Sequence, residues 1–202
     1  MTALASVSTR ALRSRRRRVV ALLAAIVVVL CGAASLGSGV AIKAKAVVAQ
    51  ILLEHAWSKS LAEKRVVKPW GWADVWPVAK IEVPRLHNGA IVLSGVSGEA
   101  MAFGPGLMPG PVPGEAGLAI IAAHRDTHFR FLKDIRIGDD VSVTDARGRR
   151  HRFKIVETRI VKADRSGLEV DGGPSQIALV TCWPFDAKVR GDDRFVAIGV
   201  LD

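Results

Sequence analysis

Two apolar runs in this sequence end on reactive side chains, LAIIAAH at His124 and QIALVTC at Cys182. A thiolate is a strong nucleophile, and a neighbouring imidazole both favours the charged sulfur and returns a proton to a leaving group. If the two runs are adjacent strands in register, their ends bring both groups to one rim of a sheet, where rigid backbone holds them. Attack on a peptide carbonyl also builds negative charge on oxygen, which a fixed donor must meet. Arg194 opens RFVAIGVL twelve residues after Cys182, a spacing that lets the loop WPFDAKVRGDD (183 to 193) return the chain beside the cysteine strand. Arg190 is the rival in mid-loop. It sits among Lys188, Gly191 and Asp192, where ordering entropy and screening weaken a mobile side chain, and this favours Arg194.

The flanking residues leave alternatives open. Asp126 either orients His124 or is a solvated loop carboxylate. His128 is either a group behind the histidine or a surface residue. Thr181 either stands behind the reacting groups or lines a substrate groove, and Trp183 either lines that groove or closes the end of the fold. His124 and His128 have the i, i+4 spacing of a zinc-protease helix, but there a glutamate follows the first histidine. Here Arg125 follows, on a strand-like run. The chemistry requires no metal or other cofactor. His55, His87 and His151 carry no partner pattern.

The elements that must hold these groups follow from patterning. From residue 78 onward short β-branched runs alternate with glycine, proline and aspartate, as in an all-β domain. Candidate strands are 79 to 86, 90 to 94, 118 to 124, 140 to 145, 151 to 162, 176 to 182 and 194 to 201. GPGLMPGPVPGEAG (104 to 117) reads as a loop, and THFRFLKDI (127 to 135) as a short helix before the turn at Gly138-Asp139. Residues 43 to 68 read as a helical stalk closed by Pro69. Trp70, Trp72 and Trp76 follow within PWGWADVWP and are expected to dock on the β domain.

The formal charge of +10 is concentrated at the N-terminus, in Arg10, Arg13 and Arg15 to Arg18; the remaining 23 basic residues face 19 acidic ones. This argues against nucleic-acid binding, because basic charge beside an apolar run is a topology signal. Residues 19 to 42 carry no charge and would make a helix roughly 36 Å long, enough to span a bilayer. The positive-inside rule keeps residues 1 to 18 in the cytoplasm and sends the rest across. A cleaved signal peptide is the competing reading, since Ala44-Lys45-Ala46 resembles a cleavage site, but the run is longer than a typical signal core. Leu30 before Cys31 argues against a lipoprotein. Cys31 then lies in the bilayer and Cys182 in the exported domain, which excludes a disulfide between them. A lone exported thiol is either buried and inert or kept for chemistry.

LVTCWPF around Cys182, AHRDTHFRFL around His124 with the following Gly138-Asp139, and Arg194 after the cysteine loop together resemble the sortases, membrane-anchored cysteine transpeptidases. The resemblance covers residues 69 to 202. PWGWADVWP, AFGPG and HRDTHF are similar to the variety found in Gram-negative bacteria, which acts beside a dedicated secreted target. It departs from the family pattern at Ala123, where glycine is expected. The resemblance implies an eight-stranded β-barrel with short helices, so one strand is missing from the seven; Met101 to Phe103 and the long run 151 to 162 are the places for it. It implies a Cys182/His124/Arg194 site that cleaves an LPXTG-like C-terminal sorting signal through a thioacyl-enzyme and passes it to an amine acceptor. The expected setting is a single-pass protein of the inner membrane with a periplasmic catalytic domain. The rivals are a cysteine peptidase that releases its target to water and a non-catalytic envelope scaffold.

Overall fold

The computed structural model describes residues 4–187, 189 and 191–202; of its long helix, the side chains of 4–19, 24, 30 and 33–43 lie outside that description. Arg190, the alternative arginine, and Lys188 also lie outside the described residues. The chain divides into two compact units, one up to Val48 and one spanning Ala49–Asp202. Helix α1 (Leu4–Glu63) contributes to both. In the first unit Leu22, Val28 and Val29 are among the apolar side chains that stand exposed. Among the described residues no helix is long and apolar enough to cross a membrane.

The second unit is a closed barrel. Its strands are β1 (Pro77–Val83), β2 (Asn88–Ser94), β3 (Gly106–Leu107), β4 (Gly117–Ala122), β5 (Asp140–Asp145), β6 (Arg150–Lys162), β7 (Ser175–Cys182) and β8 (Asp193–Leu201), in the order β1-β2-β3-β4-β7-β8-β6-β5. All seven expected runs are strands. Pro84 ends β1, and 84–86 turn into a 3-10 helix because proline has no N–H for the ladder. The eighth strand is neither at 101–103, which belongs to helix α2 (Gly98–Phe103), nor in 151–162, which is one bulged strand. It is the two-residue β3 inside the Gly/Pro-rich loop, too short to show any periodicity. Gly106 permits it, since a Cβ there would lie 2.1 Å from the carbonyl oxygen of Gly95.

Alternation sorts the strands into two faces. Inward residues, including Ile81, Val92, Ile121, Val143, Phe153, Ile155, Ile177 and Leu179, fill the barrel. Each is fully or almost fully buried, worth about 1.5–3 kcal/mol per side chain. On the outside of β2, Leu53 and Trp57 from the last turns of α1 pack against Ile91 and Leu93. The compact unit therefore starts at Ala49, ahead of the boundary expected at 69, because this part of the helix has an apolar face and the sheet offers a matching one. Of the three tryptophans, Trp70 meets Phe103 edge-on with ring centroids 5.1 Å apart, and the backbone N–H of Trp76 donates to Ser94 Oγ. Trp72 departs from the docking expectation: it is 84% exposed, in the turn that the Ala73 N–H closes on the Trp70 carbonyl.

The segment after His124 is pinned by the Gly138-Asp139 turn. Gly138 adopts φ +93°, which a side chain would resist. Buried Asp139 accepts from Arg85 Nε, from Arg85 Nη2 at 2.7 Å and from the Arg136 N–H at 2.7 Å. The hydrogen bonds from Arg85 hold its carboxyl below the usual carboxylate range, against the opposing effect of burial. A depressed folded-state value means the stabilisation is complete above the unfolded value and is lost as pH falls through the folded one. Asp139→Asn should therefore destabilise by about 1–3 kcal/mol at neutral pH, with the gap to wild type closing below about pH 4. Thermal melts from pH 7 to pH 2 measure it; a gap independent of pH would count against the pair.

Candidate active site

Strand β7 alternates inward Ile177, Leu179 and Thr181 with outward Ala178, Val180 and Cys182, so the thiol lies on the outer face of the barrel. Ile120, Ala178, Val196 and Ile198 form an apolar patch further along that face. Thr181 points inward, and its Oγ1 donates to the buried carbonyl of Ala123 at 2.7 Å. That bond ties the end of β7 to the chain just before His124.

Strands β4 and β7 run parallel with Ala122 opposite Val180. The Ala123 N–H donates to Val180 O at 3.1 Å, which carries the pairing beyond the last residue of β4. Two steps further, this register sets residue 124 opposite Cys182, on strands spaced about 4.8 Å apart. Ala123 itself sits in the barrel core at ordinary φ, so its methyl fits where glycine was expected. Residues 123 and 124 lie at the end of a strand and 125–129 in a turn, which removes the helix that a zinc-protease pair would need.

Arg194 is the direct antiparallel partner of Cys182. Paired residues point to the same face with Cβ atoms about 4.5–5.5 Å apart. Its Nη1 donates to the carbonyls of Gly191 (2.8 Å) and Asp193 (2.9 Å), while Nε and Nη2 make no hydrogen bond to any described residue. The guanidinium is thus held by one end and has N–H groups left for an incoming oxygen.

The cavity of about 290 Å³ over these residues is lined by His124, Cys182 and Arg194 together with Val96, Met101 and Gly191. The last three come from loops and from α2, and no sequence motif marked them. A larger, open concavity of about 630 Å³ beside β1 is lined by Glu54, Lys80, Glu82 and Arg150 among others, and has no nucleophile.

The flanking candidates separate. Asp126 is exposed and lines a different cavity, of about 250 Å³, with Arg125, Arg130 and Lys133. His128 is half-buried; burial pushes its imidazole below the ordinary value, the Ala102 carbonyl opposes this, and the neighbouring His124 adds to it. Burial thus favours the neutral imidazole at His128. Trp183 is absent from the cavity wall. It stacks on Phe195 (6.1 Å, 27°) and meets Phe185 edge-on at 5.4 Å, closing the barrel end.

A sortase-domain family model matches residues 81–202. Sortase D of Bacillus subtilis (strain 168) is 26% identical over 121 residues, 59% of this chain and 61% of that protein. Sortase A from Corynebacterium diphtheriae superposes with a TM-score of 0.59 at 21% identity, covering 65% of this chain and 63% of that one. A Clostridium perfringens Sortase D5 transpeptidase gives a TM-score of 0.62 at 19% identity, covering 77% of this chain and 98% of that one. The chain spans less than two thirds of the length of the first two.

Proposed function

Because the chain belongs to the sortase family, we propose that it is a cysteine transpeptidase in which Cys182 is the nucleophile, His124 the acid/base and Arg194 the oxyanion donor. The observation that carries this is the register: β4, β7 and β8 set all three at one end of the outer sheet face and in the wall of one cavity. The Cys182 thiolate adds to the carbonyl between Thr and Gly of an LPXTG-like signal. The electron pair moves to oxygen, where the Nε and Nη2 N–H groups of Arg194, which no described residue engages, meet it. His124 gives a proton to the leaving amine, the C–N bond breaks and a thioester remains. An acceptor amine then attacks that carbonyl, loses a proton to His124, and expels the thiolate with a new amide formed.

The partners are a secreted target protein carrying the C-terminal signal and an amine-bearing acceptor. Transfer distinguishes this reading from a peptidase. Incubated with a sorting-signal peptide and a millimolar glycine peptide, the protein should yield the amide adduct by mass spectrometry. Free acid alone, unaffected by the amine, would reject transfer in favour of hydrolysis.

Residues 19–42 serve as a membrane anchor in this proposal, with the arginines in the cytoplasm and the barrel in the periplasm, as in the Gram-negative variety. The absence of charge over 24 residues, the preceding arginine run, and exposed Leu22, Val28 and Val29 support it. Protease added to intact spheroplasts should remove the barrel domain. Protection until detergent opens the membrane would reverse the orientation.

A further inference from the structure

The residue that follows His124 reaches across to the loop that holds Arg194. Arg125 Nη2 donates to the carbonyls of Ala187 (2.7 Å) and Val189 (3.0 Å), both in the connection 183–192 between β7 and β8. No other side chain among the described residues bonds those two carbonyls. At the far end of the same connection, the carbonyl of Gly191 accepts from Arg194 Nη1, and Gly191 also lines the cavity over Cys182. The start of the loop is anchored separately, by Phe185 packed against the barrel core. Among the described residues the loop also has the exposed Lys133–Asp186 ion pair, a kind of contact that holds little.

Both bonds come from the two N–H groups of one guanidinium nitrogen, Nη2, which the rigid planar head holds between the two carbonyls. The grip is kept although Arg125 Nη1 is buried with no hydrogen-bond partner among the described residues. A buried donor left unsatisfied is unfavourable. Its position ties the histidine segment to the middle of a loop whose last carbonyls orient the oxyanion donor.

We propose that Arg125 is a positioning residue which clamps the β7–β8 loop through Ala187 and Val189, so that Gly191 holds the Arg194 guanidinium opposite Cys182. The inference rests on the functional reading above. Arg125 acts on the reaction through Arg194, which makes the effects of the two side chains interdependent.

A double-mutant cycle on the full-length protein tests this, with transfer of a sorting-signal peptide as the readout and kcat and KM measured separately. Arg125→Ala should lower kcat by about tenfold or more, and Arg125→Gln, which retains fewer donors, should fall between it and wild type. In the Arg194→Ala background the Arg125→Ala change should cost less than about twofold, because the group it positions is gone. The same loss in both backgrounds, or wild-type kcat for Arg125→Ala, would overturn the clamp. Should Arg125→Ala not fold by its melting curve, Arg125→Gln carries the same comparison. Wild-type turnover in Arg194→Ala alone is a different failure, one that rejects the oxyanion assignment and the clamp with it.

Discussion

Cys182→Ala should abolish cleavage and transfer of a sorting-signal peptide, a loss of at least about a thousandfold, while the domain melts within about 3 °C of wild type. The size of the loss follows from covalent catalysis: with no sulfur there is no thioester, and the remaining oxyanion donor cannot replace the missing step. The small thermal effect follows from position. Cys182 is the last residue of β7, half-exposed on the outer face, and makes no contribution to the barrel interior that Ile177 and Leu179 fill. Cys31→Ala, well away from this site in sequence, should leave the rate unchanged. Peptide turnover with mass-spectrometric trapping of the adduct measures both. Activity above a few per cent in Cys182→Ala would reject the nucleophile.

His124→Ala should lose about a hundred- to ten-thousandfold in both formation and resolution of the thioester, because one imidazole serves as proton donor in the first step and acceptor in the second. The two half-reactions can be separated by following the Cys182 adduct with and without amine. An adduct that accumulates at the normal rate in this variant would contradict the assignment. His128→Ala is the informative contrast. Burial favours the neutral form of that imidazole, which is absent from the wall of the cavity over Cys182, so its removal should alter rate through packing alone, without the loss of both half-reactions.

Local pattern made the individual strands legible. QIALVTC and LAIIAAH are apolar, bounded by turn residues and of strand length, so β7 and β4 came out within a residue or two of their actual limits. The endings on cysteine and histidine were legible for the same reason. Local pattern could not reveal β3, because two residues carry no period, nor the exposure of Trp72, because an aromatic side chain has the same chemistry whether or not a partner surface lies beside it. The Asp126 and Trp183 alternatives likewise needed coordinates. Sequence distance from the site residues says nothing about whether a side chain turns towards the cavity or, as Trp183 does, towards Phe185 and Phe195.

The amino-acid sequence by itself determined which groups are available for chemistry, which runs become strands, and where the unbalanced charge lies, since these depend on side-chain type and short-range periodicity. Only the tertiary structure decided that β4 lies parallel to β7 in the register that sets residue 124 beside Cys182, that β8 returns with Arg194 opposite the thiol, and that Arg125 grips the intervening loop. More than fifty residues separate His124 from Cys182, and no local preference acts over that span. Their meeting is settled by closure of the barrel, in which each strand's register is chosen by the burial of every inward side chain at once.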